Sequence, residues 1–303
     1  MNPLLFELSA APGLAARLCE LVGAQVGELD RRQFPDGESY VRLATPVEGR
    51  NVILLCTLDH PDPKLAPLLF AAAAGREQGA LNVGLVAPYL AYMRQDRGFH
   101  PGEAVTSKEF ARVLSEQFDW LVTIDPHLHR YPGLDAIYSI PAVAATAMGA
   151  IADWVSKNVD QPIIIGPDEE SRQWVDRIAS LAGAPMSVLR KQRSGDYSVN
   201  IDGQSLEHIG RGTPVLVDDI ASSARTLIEA VHLIAQHGTE PPVCAVVHAI
   251  LAGDSYQQLL NSGVARVVST NAVSHESNAI DISTPLAEAV RSVADTEMKP
   301  SEG

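Results

Sequence analysis

Two adjacent carboxylates, Asp218 and Asp219, end an apolar strand-like run and are followed by a short polar loop. Paired carboxylates accept hydrogen bonds from the hydroxyl groups of a sugar. The loop contains Ser222, Ser223 and Thr226, and a segment with a helical pattern begins directly after it. The hydroxyls therefore lie beside the free N–H groups of a helix N-terminus, where an anion is stabilised. The stretch predicts a binding site for a ligand that has both a diol and a phosphate.

Alternating acidic and imidazole side chains follow the predicted strand at residues 120–124. Asp125, His127 and His129 occupy every second position there, and carboxylate with imidazole can converge on one divalent cation. A turn with solvated side chains is the alternative, and the spacing does not exclude it. Asp168 follows a further strand-like run, although acidic residues are also common at helix starts because of the helix dipole alone. These residues are candidate metal ligands.

Two cationic segments offer contacts to phosphate groups. Arg94 and Arg97 flank Asp96 in a long loop, where the arginines either clamp a polyphosphate or form an exposed ion pair. The spacing alone favours the ion pair, which contributes little to stability. Lys191 and Arg193 lie in a polar stretch that is either a cationic loop closing over phosphates or a solvated run of charge.

The composition is that of an ordinary globular protein of 303 residues, with 46% hydrophobic and 20% charged residues. This length is sufficient for two domains with a buried core. The formal net charge of −14 argues against a nucleic-acid partner, because phosphate backbones require clustered lysine and arginine. A small anionic ligand remains compatible with this charge, since its site needs only a few local donors.

The chain has no pattern typical of export or membrane insertion. Cys19, Cys56 and Cys244 are scattered without metal-binding spacing, which favours reduced thiols in a cytoplasmic protein. The N-terminus lacks the basic start and apolar core of a signal peptide, and no apolar run approaches the ~20 residues of a membrane span. The motifs of P-loop kinases, dinucleotide-binding dehydrogenases, zincins and α/β-hydrolases are absent as well. We expect a soluble, cytoplasmic protein with no membrane partner.

Alternating strand and helix patterns must position these residues. The predicted strands are residues 39–43, 52–55, 83–87, 120–124, 163–165, 215–217, 243–250 and 264–269. The predicted helices are residues 64–78, 107–117, 142–157, 169–182, 227–235, 254–261 and 285–293. This alternation is typical of an α/β fold with parallel sheets flanked by helices, in which loops at the carboxyl ends of the strands bind ligands.

A faint internal repeat indicates two similar α/β domains. A strand, a helix and a second strand over residues 52–86 parallel the same order over residues 215–247. The predicted domains are residues 1–141 and 142–303. Only the second copy has the acidic pair and the hydroxyl loop, so we expect the sugar phosphate to bind there.

Several short motifs, taken in order, resemble the ribose-phosphate diphosphokinase family, the synthetases of phosphoribosyl pyrophosphate. The similarity extends over roughly residues 30–290. The motifs are Phe34-Pro-Asp-Gly-Glu38, Pro88-Tyr with Arg94-Gln-Asp-Arg97, Ile124-Asp-Pro-His127, Pro167-Asp168, Lys191-Gln-Arg193 and Val217-Asp-Asp-Ile220. Each motif is weak alone, whereas the ordered set is hard to obtain by chance.

The resemblance implies two type I phosphoribosyltransferase-like domains, each a mainly parallel sheet flanked by helices. The first domain would serve ATP and the second ribose 5-phosphate, with ATP bound between domains and between subunits of a homo-oligomer. The implied reaction transfers diphosphate from ATP to the C1 hydroxyl of ribose 5-phosphate, with Mg²⁺ as cofactor, and releases AMP.

The resemblance also implies a role for each matching residue. ATP would contact Phe34, Asp36 and Glu38 of a neighbouring subunit together with Arg94, Gln95 and Asp96. His127 and Asp168 would be linked to Mg²⁺, and Lys191 and Arg193 would be the catalytic cations. Ribose 5-phosphate would be held by Asp218 and Asp219 at the ribose and by Ser222, Ser223, Ala224, Arg225 and Thr226 at the phosphate. His129 has no counterpart in the family pattern and ranks below His127.

Two departures from the family pattern indicate a divergent branch. The loop after the acidic pair, which usually reads Asp-Thr-Gly-Gly-Thr in the family, is Ser222-Ser-Ala-Arg-Thr226 here. Ala224 removes the backbone freedom of a glycine, while Arg225 could add a charge-assisted phosphate contact. After Asp168, Glu169-Glu170-Ser171 replaces a glycine-rich pattern, and these carboxylates would disfavour an inhibitory phosphate or nucleotide.

Two alternative functions remain open at this point. A non-catalytic regulatory subunit of a synthetase complex would keep the fold, but it would have no need of His127, Lys191 and Arg193. A phosphoribosyltransferase that consumes the diphosphate product would explain the stretch around Asp218 but not the segment around Phe34.

Overall fold

The computed structural model describes residues 2–189 and 212–297, so Lys191 and Arg193 lie outside the described residues. The chain divides into two compact units, and each has its own parallel sheet. The first unit comprises Met1–Thr146 together with Ser283–Gly303, and the second comprises Ala147–Ile282. The boundary therefore falls five positions beyond the predicted residue 141, and the C-terminal residues, expected in the second domain, lie in the first unit.

The strands form one six-stranded sheet in each unit and one small hairpin. The first unit contains β1 (Leu4–Ser9), β2 (Gln25–Val26), β3 (Leu29–Gln33), β4 (Ser39–Leu43), β5 (Asn51–Cys56), β6 (Asn82–Ala87), β7 (Trp120–Ile124) and β8 (Ala142–Ala145). The second contains β9 (Pro162–Gly166), β10 (Met186–Val188), β11 (Thr213–Ala221), β12 (Val243–Ala249), β13 (Arg266–Thr270) and β14 (Asn278–Ile280). The sheet orders are β2-β1-β5-β6-β7-β8 and β10-β9-β11-β12-β13-β14, and β3 pairs with β4.

Helices connect the strands in both units. They are α1 (Leu14–Val22), α2 (Asp62–Glu77), α3 (Thr106–Gln117), α4 (Met148–Asn158), α5 (Arg172–Ala182), α6 (Arg225–Gln236), α7 (Ser255–Asn261) and α8 (Ser283–Glu297). Among the described residues, no helix combines the length and the apolar character that a membrane crossing requires.

Both large sheets are parallel in every described strand pair, and only the β3–β4 hairpin is antiparallel. The central strands β5, β6, β7 and β12 are almost continuously buried. Burial on both faces is the normal state of a parallel sheet covered by helices, and it explains the near-continuous apolar runs of these strands. The predicted α/β fold is confirmed.

The predicted helix at residues 142–157 is wrong in its first third. Alanine favours helix, but Ala142–Ala145 pair in parallel with Leu121–Ile124 and form the edge strand β8. Sheet pairing therefore overrides the intrinsic preference of a short alanine-rich segment. The helix α4 begins only at Met148.

The C-terminal helix α8 belongs to the first unit because it packs against α1, β7 and β8. The guanidinium of Arg291 also donates a hydrogen bond of 2.7 Å to the carbonyl oxygen of Leu21. The chain thus leaves the first unit after β8, forms the second unit and returns to complete the first. The faint sequence repeat carried no information about this return.

The pairing of β6 with β7 leaves space for only a hydrogen atom at Gly84. Gly84 lies opposite Trp120, and a β-carbon at Gly84 would overlap the buried indole ring. We expect Gly84→Ala to lower the free energy of unfolding by about 3 kcal/mol, as overpacking does in a dense core. Gly149→Ala is the matched control, because no atom lies within 4 Å of its β-carbon position. Urea denaturation checks both variants, and equal stabilities would contradict the packing argument.

Candidate active site

The parallel pairing of β9 with β11 brings three carboxylates to one edge of the second sheet. Val215 lies opposite Ile164 and Leu216 opposite Ile165. Asp168 follows the end of β9 by two positions, while Asp218 and Asp219 lie within β11 itself. The strand is longer than the predicted residues 215–217, so the acidic pair is held by sheet pairing. Asp218 in particular pairs with Val246 of β12.

Asp168 begins the 3₁₀ turn Glu169–Ser171 and is partly buried. The backbone N–H of Ser171 donates to its Oδ1 at 3.1 Å, and the Ser171 hydroxyl donates to its carbonyl oxygen at 2.5 Å. Burial raises the pKa of Asp168, and the charges of Glu170 and Asp219 raise it further, against the lowering effect of the Ser171 N–H. The predicted helix at residues 169–182 therefore begins with this turn, and α5 starts at Arg172.

Asp218 has the most strongly perturbed carboxyl group at this edge. Burial raises its pKa well above the ordinary value, and the charges of Asp219 and Asp168 add to the effect. The backbone N–H of Asp219 donates to Asp218 Oδ1 at 3.0 Å, which opposes the shift only in part. On the neighbouring strand, burial first and the Asp218 charge second raise the pKa of the Cys244 thiol to about 12.

These three carboxylates fit a hard divalent cation or a set of hydroxyl donors. Mg²⁺ prefers carboxylate oxygens and phosphate oxygens as ligands, and a cation among like charges favours their ionised forms. A sugar diol would act in the same direction by donating hydrogen bonds. The raised pKa values of Asp168 and Asp218 therefore mark a place where a cation or a donor is favoured.

The loop between β11 and α6 is held in place by hydrogen bonds to its backbone and by burial of one of its side chains. Ala252 and Ser255 donate hydrogen bonds of 3.1 and 3.0 Å to the carbonyl oxygen of Ser222. Ala224 adopts the left-handed conformation, with φ 55°, although it is not a glycine. Its side chain is only 5% exposed and belongs to the apolar core that includes Leu227. The loop is thus a preformed bend, with strain on the order of 1 kcal/mol at Ala224.

The helix α6 begins at Arg225, two positions earlier than predicted. Arg225 and Thr226 are exposed in its first turn, and no side chain caps this terminus. A cavity of about 60 Å³ is lined by Asp168 and Thr226 among others. The carboxylate edge and the helix N-terminus therefore adjoin one another, as a ligand with a diol and a phosphate requires.

In the first unit, the buried carboxylate of Asp96 forms an ion pair with Arg130, a residue that was not identified from the sequence. The Asp96 side chain is only 2% exposed, and Arg130 Nη1 donates to both carboxylate oxygens at 2.9 and 3.0 Å. The Tyr131 hydroxyl donates to the Asp96 carbonyl oxygen at 3.3 Å. No local pattern links positions that lie 34 residues apart, so the sequence held no signal for this pair. The buried Asp96 side chain therefore holds this loop in place through its ion pair with Arg130.

The neighbours of Asp96 differ in exposure. Gln95 accepts a hydrogen bond of 3.1 Å from the Thr106 hydroxyl at the start of α3. Arg94 is exposed, and among the described residues it has no hydrogen bond or ion pair. The predicted ion pair between the arginines of this loop and Asp96 is replaced by the pair with Arg130. The guanidinium of Arg97 instead lies 4.9 Å from the centre of the Phe99 ring.

Two imidazoles meet at the carboxyl end of β7. The ring centres of His127 and His129 are 3.9 Å apart, with an angle of 48° between the ring planes. His127 is partly buried and His129 is exposed. His129, ranked below His127 from the sequence, is therefore in direct contact with it. Asp125, the third member of the alternating pattern, is buried and adopts a positive φ of 36°.

The predicted turn at residues 34–38 lies at the tip of the β3–β4 hairpin. Phe34 and Glu38 are joined by a backbone hydrogen bond of 2.7 Å, and Asp36 Oδ1 accepts from the Glu38 N–H at 3.1 Å. Phe34 is 40% exposed, and the guanidinium of Arg32 lies 5.2 Å from the centre of its ring. An aromatic ring with a cation beside it can stack on a planar base or pack against another chain.

Each unit has a parallel sheet flanked by helices, and in the second unit an acidic strand end is followed by a helix N-terminus. This combination defines a phosphoribosyltransferase-type protein. The model of the phosphoribosyl transferase domain matches residues 133–285. The model of the N-terminal domain of ribose phosphate pyrophosphokinase matches residues 4–117. The chain therefore belongs to the ribose-phosphate pyrophosphokinase family, which confirms the predicted family.

Individual relatives agree with this assignment over nearly the whole chain. A ribose-phosphate pyrophosphokinase of Methanopyrus kandleri is 32% identical over 283 residues, covering 93% of this chain and 96% of the relative. That of Methanobrevibacter smithii is 29% identical over 295 residues, covering 93% and 98%. The crystal structure of phosphoribosylpyrophosphate synthetase from Mycobacterium smegmatis has the same fold, with a TM-score of 0.84 and 23% identity over 98% of this chain and 100% of that one.

Removing the Arg130 side chain tests how much its ion pair with Asp96 contributes to the free energy of unfolding. We expect Arg130→Ala to lower the free energy of unfolding by about 2 kcal/mol, because it leaves a buried carboxylate without its partner. Arg112→Ala is the control: it breaks an exposed ion pair with Glu109 and Glu116 and should cost about 0.5 kcal/mol. In the Arg130→Ala background, Asp96→Asn should restore part of the loss. Urea denaturation of the four proteins measures this, and equal losses for the two arginine variants would refute the buried pair.

The raised pKa of Asp218 predicts that the metal-free protein gains stability when this charge is removed. The folded pKa exceeds the unfolded one, so the folded state binds more protons between the two values, and stability falls as pH rises through that window. We expect Asp218→Asn to raise the free energy of unfolding at pH 7 on the order of 1 kcal/mol, with no gain near pH 3. Asp160→Asn, at an exposed position, is the control. Denaturation in EDTA at both pH values checks the effect, and a loss of stability at pH 7 would contradict it.

Proposed function

We propose that this chain transfers the diphosphate group of ATP to the C1 hydroxyl of ribose 5-phosphate, giving phosphoribosyl pyrophosphate and AMP. Its family assignment rests on both domains of the chain. The observation with the most weight is the edge formed by Asp168, Asp218 and Asp219, which adjoins the N-terminus of α6. A sugar phosphate has the two groups, a diol and a dianion, that this arrangement favours.

Ribose 5-phosphate would lie along the loop between β11 and α6. Its ribose hydroxyls would donate to Asp218 and Asp219, which are acceptors when ionised. Its phosphate would accept from the backbone N–H groups and the hydroxyls of residues 222–226, with Arg225 as a charge-assisted donor. The fixed bend at Ala224 holds these donors in place before the ligand arrives.

ATP would be held mainly by the first unit. Arg94 is an exposed cation of its loop, and Gln95 is anchored beside it by Thr106. Asp96, whose carboxylate faces Arg130, would act by positioning these two residues. The hairpin tip with Phe34 would supply the adenine contacts of a neighbouring subunit, together with Asp36 and Glu38, as the family resemblance implies.

The chemistry requires stabilisation of charge more than a general base. The C1 hydroxyl oxygen of ribose 5-phosphate attacks the β-phosphorus of ATP and releases its proton to solvent. The bond between that phosphorus and the α,β-bridging oxygen breaks, and AMP leaves with the electron pair. Bound Mg²⁺ would neutralise charge on the phosphate groups, and the family resemblance implies that His127 and Asp168 are the residues linked to it. Lys191 and Arg193 would stabilise the charge that develops toward AMP, each on the order of 3 kcal/mol in the barrier.

We further propose a cytoplasmic homo-oligomer without a nucleic-acid or membrane partner. Cys19, Cys56 and Cys244 are all buried free thiols, as is usual in a reducing compartment. The net charge of −14 disfavours binding to nucleic acids. The exposed Phe34 and Phe99 are suited to contact between subunits.

The test is an assay of the purified protein with ribose 5-phosphate, ATP and Mg²⁺, in which AMP is measured. We expect AMP that depends on both substrates. Arg225→Ala should raise the KM for ribose 5-phosphate about tenfold, because it removes a charge-assisted contact, while the KM for ATP stays within twofold. Arg177→Ala, an exposed arginine on α5, should change neither.

The two alternatives give different results in the same assay. A regulatory subunit would form no AMP from ATP and no nucleoside monophosphate from another nucleoside triphosphate, and this outcome would refute the proposed reaction. A phosphoribosyltransferase would consume phosphoribosyl pyrophosphate and a base without using ATP. The match of residues 4–117 to the pyrophosphokinase N-terminal domain favours the synthetase over this second alternative.

A further inference from the structure

We infer that His127 and His129 together form a two-imidazole ligand pair that makes this protein prefer a late first-row divalent cation, such as Co²⁺ or Zn²⁺, to Mg²⁺. The inference rests on the proposed metal-assisted reaction and refines it, because it concerns which cation the first unit binds. His129 is the residue that creates the preference, since a single imidazole at His127 would leave a site compatible with Mg²⁺.

The geometry of the two rings suits a shared ion. Their centres are 3.9 Å apart, the planes are inclined by 48°, and a ring nitrogen of each lies within 4.8 Å of one of the other. Two nitrogens at about 2 Å from one ion are roughly 3 Å apart, so a small rotation of the rings about their side-chain bonds closes the remaining distance. Only one residue separates His127 from His129, so both imidazoles belong to the same short turn of the chain.

The backbone before the pair is held in an unusual conformation. Asp125 has a φ of 36°, in the left-handed region that is costly for a residue other than glycine. Its N–H donates to the carbonyl oxygen of Ala145 at 2.9 Å, and the N–H of Ile124 donates to that of Pro88 at 3.4 Å. Pairing with β8 thus maintains the bend that directs the chain into the histidine turn. Such strain is concentrated at binding sites, where the surroundings maintain it.

The backbone after the pair is fixed as well. Arg130, the residue next to His129, donates two hydrogen bonds to the buried carboxylate of Asp96. The segment from His127 to His129 is therefore anchored at both ends, and the rings lose little freedom on binding an ion. Preorganisation of this kind raises affinity because less ordering remains to be done.

The chemistry of the donors determines the cation. Mg²⁺ prefers oxygen ligands and releases its water reluctantly, whereas imidazole suits zinc, iron, nickel and copper, and affinity rises along the first-row series toward copper. Each added imidazole therefore favours the later metals. Replacing His129 by glutamine should remove this preference and leave binding of Mg²⁺ nearly unchanged.

The decisive experiment titrates the full-length protein, freed of metal with EDTA, with Co²⁺ alone and with Mg²⁺ alone by calorimetry. We expect Co²⁺ to bind the unaltered protein at least about 100-fold more tightly than Mg²⁺. His129→Gln should weaken Co²⁺ binding at least about tenfold, as the loss of a metal ligand does, and change Mg²⁺ binding less than twofold. His237→Gln, at an exposed position at the end of α6, should change neither affinity.

Proton NMR of the Co²⁺-loaded protein supplies a readout that does not depend on activity. Two strongly shifted, exchangeable imidazole N–H signals are expected for the unaltered protein and for His237→Gln, and one for His129→Gln. If His129→Gln kept both signals and full Co²⁺ affinity, or if the unaltered protein showed fewer than two signals, the inference would be overturned. Absence of AMP formation with Mg²⁺ would instead refute the proposed reaction, so the two failures are distinguishable.

Discussion

Mutual repulsion among carboxylates held by two neighbouring strands is the constraint on which the candidate site depends. Asp168 and Asp218 would separate in water, but the register between β9 and β11 and the buried apolar residues beneath them keep both at one edge, with Asp219 beside them. Parallel pairing is essential here, because it places the carboxyl ends of both strands on the same side. The core of the second unit thus sustains an arrangement of charge that is unfavourable without a cation or hydrogen-bond donors beside it.

The two sheets have similar architecture but place different chemistry at their carboxyl edges. In the second, three carboxylates adjoin a helix N-terminus at Arg225. In the first, the edge has the imidazoles of His127 and His129, and the buried pair of Asp96 with Arg130 supports the adjacent loop. The same architecture can therefore carry different chemistry in its two copies, because strand ends and the loops after them supply the polar side chains.

Much of this arrangement could be predicted from the sequence where the signal is local. The apolar run of β7 and the turn before β4 were predicted with their observed bounds. The edge strand β8 was not, because the three alanines of this four-residue segment favour helix until a neighbouring strand pairs with it. The contact between Asp96 and Arg130 could not be foreseen either, since only the folded chain brings them together. Ordered motifs identified the family, whereas the partner of each side chain depended on tertiary structure.

The bend at Ala224 has a consequence for the residues that this loop tolerates. Its methyl group is buried in the core while its backbone occupies a conformation natural to glycine, so two opposing energetic effects act at one position. A glycine would relieve the strain, of order 1 kcal/mol, but it would lose the buried methyl group, worth about 0.8 kcal/mol, and loosen the unfolded chain. These terms nearly cancel, so alanine and glycine are almost interchangeable in stability at this site. Exchange of one residue for the other would therefore change the stiffness of the loop between β11 and α6 more than the stability of the fold.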